Sequence, residues 1–211
     1  MKKIILALSL LAVAPVYPAT IIDFSSVTDT FADGVDRVVG WDFTTQSTQV
    51  YLTSLSVFDA GQDGLLGSHQ VALYDTTTKA LITSTIIPAG TGGYLNGFFR
   101  SVDITPVALD LNHTYTLAAT WTASSDPWVW DDGLLGVSMN GFTSSPWITT
   151  GSSSARYNDF TSTLAFPNTQ IGDSRSWFVG PNGLISLAAP EPSRALLLAL
   201  GVAVGIVRRR R

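Results

Sequence analysis

Cysteine is missing from this 211-residue chain. That excludes disulfides, thiolate nucleophiles and Cys-based zinc sites. It leaves the compartment open, because a domain of this size can bury a sufficient core without bridges. Charge is scarce as well: Asp, Glu, Lys and Arg make up 13% of the residues, about half of the usual share of roughly 25%. Glutamate occurs once, at Glu191, and histidine twice, at His69 and His113. Between Thr20 and Ala189 the only basic residues are Arg37, Lys79, Arg100, Arg156 and Arg175, against fifteen aspartates, a formal charge of −10. A body so acidic lacks the clustered Lys and Arg that phosphate backbones require, which excludes nucleic acid as a partner. Long hydrophobic runs are confined to the two ends.

The first run follows Met1-Lys2-Lys3 and covers Ile4 to Ala14, eleven residues, with Val16-Tyr17-Pro18-Ala19 behind it. A basic start, a short apolar stretch and a small residue at the cut make residues 1–19 a signal peptide with cleavage after Ala19. Tyr17 is larger than the small residue preferred three places before the cut. The alternative bond after Ala14 would place Pro15 next to it, which is worse. A retained anchor is the competing reading, and the run is too short to span comfortably.

Residues 20–189 read as β structure. Tyr115, Leu117, Ala119 and Trp121 share one face of an extended segment, with Thr116, Ala118, Thr120 and Thr122 on the other. This two-residue period with β-branched residues suits a half-buried antiparallel strand. No stretch of the body sustains a 3.6-residue apolar period with caps. Candidate strands are 21–24, 37–43, 48–58, 69–75, 80–87, 98–104, 114–122, 134–139, 176–179 and 184–188. Turn residues separate them, among them Gly61 to Gly64, Asp131-Asp132-Gly133 and Pro181-Asn182-Gly183. So many short strands predict an all-β fold, a single antiparallel β-sandwich of jelly-roll-like type. Residues 144–163, polar and rich in Ser and Thr, predict a long loop or a poorly paired edge.

Few residues carry chemistry. No nucleophile elbow or phosphate-cradling glycine loop is present, and the two histidines have no metal-ligand spacing, so the chain reads as a non-enzyme with no catalytic residue. Most aspartates fall in turns, where they bond local backbone amides. The alternative use of that oxygen is Ca²⁺: Asp59 with Asp63 forms one candidate loop, and Asp126 with Asp131 and Asp132 a second. Neither matches the EF-hand pattern, and the plainer reading is structural turns without a cofactor. Of the six tryptophans, Trp128 and Trp130 lie in SSDPWVWDD, where exposed rings beside acids could stack on sugars, such as those of an exopolysaccharide.

The second run closes the chain. Pro190-Glu191-Pro192 is a stiff, extended linker, and Ser193 can cap a helix that starts behind it. Residues 195–207 are thirteen apolar residues, about 20 Å as a helix against a hydrocarbon core of about 30 Å. Arg208, Arg209, Arg210 and Arg211 would hold the end on the cytoplasmic side. The expectation is a short transmembrane helix. A helix buried in the body would not end in an arginine block.

Two resemblances add to this reading. Residues 190–211 resemble the PEP-CTERM sorting signal, matching it in tripeptide, apolar helix and terminal basic cluster, in that order. Arg194 departs from the small or apolar residues usual after the tripeptide. The resemblance implies an exosortase as partner, transient tethering to the inner membrane, cleavage near Pro190–Pro192, and release of the body to the cell surface or exopolysaccharide matrix of a Gram-negative bacterium. In the body, Trp41 to Phe43, Leu55 to Phe58, His69 to Asp75 and Ile86 to Gly90 resemble a family of small exported bacterial β-sandwich domains without an established function. Phe98 to Leu111 and Thr114-Tyr115 also fit. That likeness runs from Val38 to Trp121 and implies a fold but no catalytic residues.

Overall fold

Alternation along residues 37–45 shows how the sheets arise. Val39, Trp41 and Phe43 turn inward and are at most 1% exposed, while Gly40, Asp42 and Thr44 turn to the other face. The computed structural model describes residues 18–187 except 29, 33, 123–125, 132–138 and 172–176. The expected signal peptide (1–19) up to residue 17, the expected sorting segment (190–211) and most of the candidate strand 134–139 therefore lie outside the described residues.

Among the described residues every regular element is a strand. In chain order they are β1 (Ala19–Thr20), β2 (Ile22–Asp23), β3 (Ser26–Val27), β4 (Arg37–Thr45), β5 (Val50–Phe58) and β6 (His69–Asp75). Next come β7 (Leu81–Ile87), β8 (Tyr94–Asn96), β9 (Phe99–Leu109), β10 (Thr114–Trp121), β11 (Val129–Asp131) and β12 (Met139–Asn140). The last are β13 (Thr143–Ser144), β14 (Ile148–Asp159), β15 (Thr169–Gln170), β16 (Trp177–Val179) and β17 (Pro181–Ser186). They form a five-stranded sheet, β1-β17-β5-β9-β8, a six-stranded sheet, β15-β14-β4-β10-β6-β7, and three two-stranded ladders, β11-β16, β12-β3 and β13-β2. Every pairing is antiparallel.

The two large sheets share one core in a sandwich-like arrangement. Trp41, Phe43, Leu73, Leu117 and Trp121 come from the six-stranded sheet, and Leu52, Leu55, Phe99, Leu109 and Ile185 from the five-stranded one. Each fully buried side chain of this size contributes about 1.5–3 kcal/mol. The Trp41 indole Nε1 donates to the Pro181 carbonyl at 2.8 Å, tying one sheet to the other.

Two expectations are corrected. Of the two expectations for residues 144–163 the loop is overturned: β14 is twelve residues long and pairs with β4 from Ile148↔Thr45 to Asp159↔Arg37, while its other side pairs with β15 only at Arg156 and Tyr157. A register shift between Thr150 and Ala155 breaks the two-residue period that would have revealed it. Pro181-Asn182-Gly183 is not a turn but the start of β17. The Asn182 side chain accepts from the Ile22 amide at 3.3 Å and donates to the Ile22 carbonyl at 2.8 Å, standing in for a neighbouring strand. A Cβ at Gly183 would lie 2.8 Å from Leu52 Cδ1 and 2.9 Å from the Ser54 carbonyl oxygen, so glycine permits the close approach of β5.

The outer face of the six-stranded sheet carries a second, smaller apolar cluster. Val38, Ala72, Tyr74 and Ala118 are covered there by Phe166 and Leu164 of the segment 160–168, which crosses the sheet as a strap. Gly40 lies beneath it, with Pro167 Cγ only 3.1 Å from where a Cβ would stand.

Candidate functional site

The β5–β6 connection brings Asp59 and Asp63 of the first candidate cation loop beside Asp126 of the second. Asp59, Asp63 and Asp126, with Gly61, Leu65 and Pro127, line a pocket of about 400 Å³. Two of these carboxylates, Asp59 and Asp126, are already committed. Asp59, 1% exposed, accepts from Arg100 Nε at 2.7 Å and from the Gly64 amide at 3.1 Å. Arg100 also donates to the carbonyls of Gln62 at 2.9 Å and Gly93 at 3.4 Å, so one guanidinium holds β9 to the loop.

Asp126 closes the other side. Its Oδ1 accepts from the Leu66 amide at 2.9 Å, and its Oδ2 from the Gly67 amide at 3.2 Å and His69 Nε2 at 2.9 Å. His69 Nδ1 lies 2.6 Å from the Thr120 carbonyl oxygen. Both ring nitrogens therefore face oxygen acceptors, which fixes the ring between β10 and Asp126. Burial pushes the Asp126 carboxyl up. The His69 hydrogen bond, the two amides and the His69 charge outweigh burial and hold it below the ordinary carboxylate range. The Trp121 ring stands 4.6 Å from the imidazole, and its Nε1 donates to the Asp126 carbonyl.

Arg100 and His69 thus engage Asp59 and Asp126 from within, while Asp63 is exposed. Among the described residues no three His, Cys, Asp or Glu side chains are grouped as metal ligands would be. Asp132 and the side chains of Trp130 and Asp131 lie outside the described part of the chain. The expectation for Trp128 is corrected: it is 3% exposed, with Trp121 at 6.0 Å and Phe31 at 5.5 Å, and offers no open face to a sugar. Its backbone bonds Phe31 in both directions, at 2.8 and 3.0 Å, which seats the ring in the core.

The second histidine is elsewhere. His113 Nε2 lies 2.7 Å from Asp75 Oδ2. The Thr78 amide does most to hold the Asp75 carboxyl down, to about 2, with burial opposing and His113 assisting. His69 opens β6 and Asp75 closes it, so the two histidines are about 20 Å apart at about 3.4 Å per residue and share no cluster. On the outer face Arg156 Nε meets both oxygens of Asp42, at 2.7 and 2.8 Å, and Thr116 Oγ1 donates to the same carboxylate at 2.7 Å. Arg37 pairs with Asp159, and Lys79 donates to Asn168 at 2.7 Å. Sequence reasoning missed these pairings. Their one trace is that each basic residue stands alone in an acidic body, where it will be claimed by an aspartate or an amide.

No family model, no curated protein and no solved structure matches this chain. Among the described residues no helix is long and apolar enough to cross a membrane. Pro190, Glu191, Pro192 and Arg208 to Arg211 are outside them.

Proposed function

We propose that this chain is an exported, non-catalytic protein of the cell surface or extracellular matrix of a Gram-negative bacterium. Its body is a jelly-roll-like β-sandwich carried between a cleaved signal peptide and a short C-terminal transmembrane helix. An exosortase reads the C-terminal segment, removes the helix and releases the body. The observation that carries this reading is the order Pro190-Glu191-Pro192, thirteen apolar residues, four arginines, in a chain whose other end is a basic-then-apolar leader. The physics of each part agrees. Arginines stop translocation, a helix of about 20 Å is parked in the bilayer only by local thinning and snorkelling, and a Pro-Glu-Pro linker presents an extended bond outside.

Two features of the fold support it. Thr20, the first residue after the expected cut, is already paired with Leu184, and the Ile21 amide donates to Gly183 at 2.9 Å. The four basic side chains described in the body, and both histidines, are engaged with neighbours in roles that hold the fold together.

Mass spectrometry of the mature protein, from a producing strain with and without its exosortase, tests the proposal. The expected C-terminus lies at or near residues 190–192 with the enzyme and at Arg211 without it, and Glu191→Ala should keep the full-length form in the membrane fraction. A mature product from the intact strain that still ends in the arginine block refutes the reading.

A further inference from the structure

Four strand edges bound the two large sheets, and three of them are blunted. β1 and β15 are two residues long and β8 three, and the stretch of β14 that β15 leaves uncovered is broken by the register shift between Thr150 and Ala155, a bulge that bends an edge out of line. The part of β9 that β8 leaves uncovered carries Asp103 and Pro106. Short strands, charge and proline are what keep an edge from pairing with another chain. β7 differs. Its seven residues, LITSTII, include no charge, proline or glycine. Among the described residues only β6 pairs with it. Leu81, Ile82 and Ile86 are 54%, 38% and 58% exposed. The one irregularity is a register shift against β6 that leaves Ile82 unpaired and Thr83 to Ile87 regular.

The order of residue types in β7 reads the same in both directions: two aliphatics, Thr, Ser, Thr, two aliphatics. Antiparallel pairing with β7 of a second copy, about a two-fold axis at Ser84, sets Ile82 opposite Ile86 and Thr83 opposite Thr85; Leu81, carried to the outer face by the register shift, and Ile87, buried in the core, lie beyond this matched stretch. Aliphatic then meets aliphatic and hydroxyl meets hydroxyl, the favourable cross-strand combinations. A two-fold contact uses the same patch on both partners and closes on itself. Charge points the same way: each body has fifteen aspartates, and β7 is a stretch on which two such bodies can touch without opposing like charges.

We propose that β7 is the surface through which two copies of this chain associate, joining two six-stranded sheets into one continuous sheet. The contact does not depend on the sorting route. The matched stretch, Ile82 to Ile86, is about 17 Å long at about 3.4 Å per residue, which belongs with the small, reversible class of interfaces, so association follows concentration.

The absence of cysteine makes the test direct, because Ser84→Cys gives a protein with a single thiol. Opposed Cα atoms in an antiparallel ladder are about 4.5–5.5 Å apart, inside the roughly 4.4–6.8 Å that a disulfide bridges. The full-length variant, extracted in mild detergent, is oxidised and resolved without reductant beside Thr163→Cys, an exposed control on the strap. Ser84→Cys should form covalent dimer at least about ten times faster than Thr163→Cys, because pairing raises the effective thiol concentration. Adding Ile86→Lys, at an exposed position that folding does not require, should return the rate to that of the control. Equal rates for the two cysteines, a Ser84→Cys rate that Ile86→Lys leaves unchanged, or capture of a different protein in place of a dimer each overturns the proposal.

Discussion

Asp126→Asn keeps the outline of a side chain while removing its charge, and Asp126 is buried in a hydrogen-bonded network where such a change is felt. The variant puts an amide where the buried His69 ring and the Leu66 and Gly67 amides all need an acceptor, so at least one buried donor loses its partner. It should lower unfolding free energy by about 2 kcal/mol, the cost of a buried group left without its hydrogen bond, as measured by urea titration. The same residue shapes the acid limb of stability. Its carboxyl titrates below the ordinary range when folded, so the unfolded chain binds more protons near the ordinary value of about 3.9. The contribution is present above that value and fades as pH falls through the depressed one; in Asp126→Asn this part of the acid slope should be absent. At this scale the sequence was only partly legible. It marked Asp59 and Asp126 as aspartates in loops, but the partners, Arg100 and His69, come from 41 and 57 residues away in the chain, in opposite directions. No local spacing encodes such a meeting. Trp128 misled for a related reason: beside acids and a proline it looks like a loop residue, and one backbone bridge to Phe31 turns it inward.

The strap over the six-stranded sheet is an element without secondary structure, fixed by a few side chains. Phe166 packs edge-on to Tyr74 at 5.7 Å, with Arg156 at 5.3 Å and Lys79 at 5.4 Å from its ring. Asn158 donates to its carbonyl at 2.9 Å. Phe166→Ala should cost about 2 kcal/mol, below the 3–5 kcal/mol of a core phenylalanine, because the strap can peel away without opening the main core. Hydrogen exchange should show lost protection along β14 and the strap, with β5 and β10 unchanged. Strands with clean alternation, such as β6 and β10, were legible to within a residue. β14 was not, since its Ser and Thr residues suit a strand as well as a loop and its bulge removes the period. β17 was misread at its start because proline and glycine there serve the sheet: one offers a carbonyl to Trp41 and the other a close approach to β5.

At the scale of the whole molecule, excess negative charge opposes compactness. With fifteen aspartates and five basic residues between Thr20 and Ala189, self-repulsion should weaken the fold at low ionic strength. Raising salt from about 0.01 to about 0.15 M, which shortens the screening length from about 30 to about 8 Å, should raise the melting temperature, and calorimetry across that range checks it. The all-β class was legible because alternation is a local property. Which strands neighbour which was not, since β17 pairs with β5 across more than a hundred residues. The pairing of β1 with β17 has a geometric result of its own. Ala19 faces Ile185 and Thr20 faces Leu184, and because the two strands run in opposite senses, the chain enters through β1 and departs through β17 at the same pole. On the proposed export route a precursor would hang from the bilayer by two adjacent stalks at one end, leaving its far end pointed outward. Each cut would then fall at the root of the suspended body, and neither would have to reach around it.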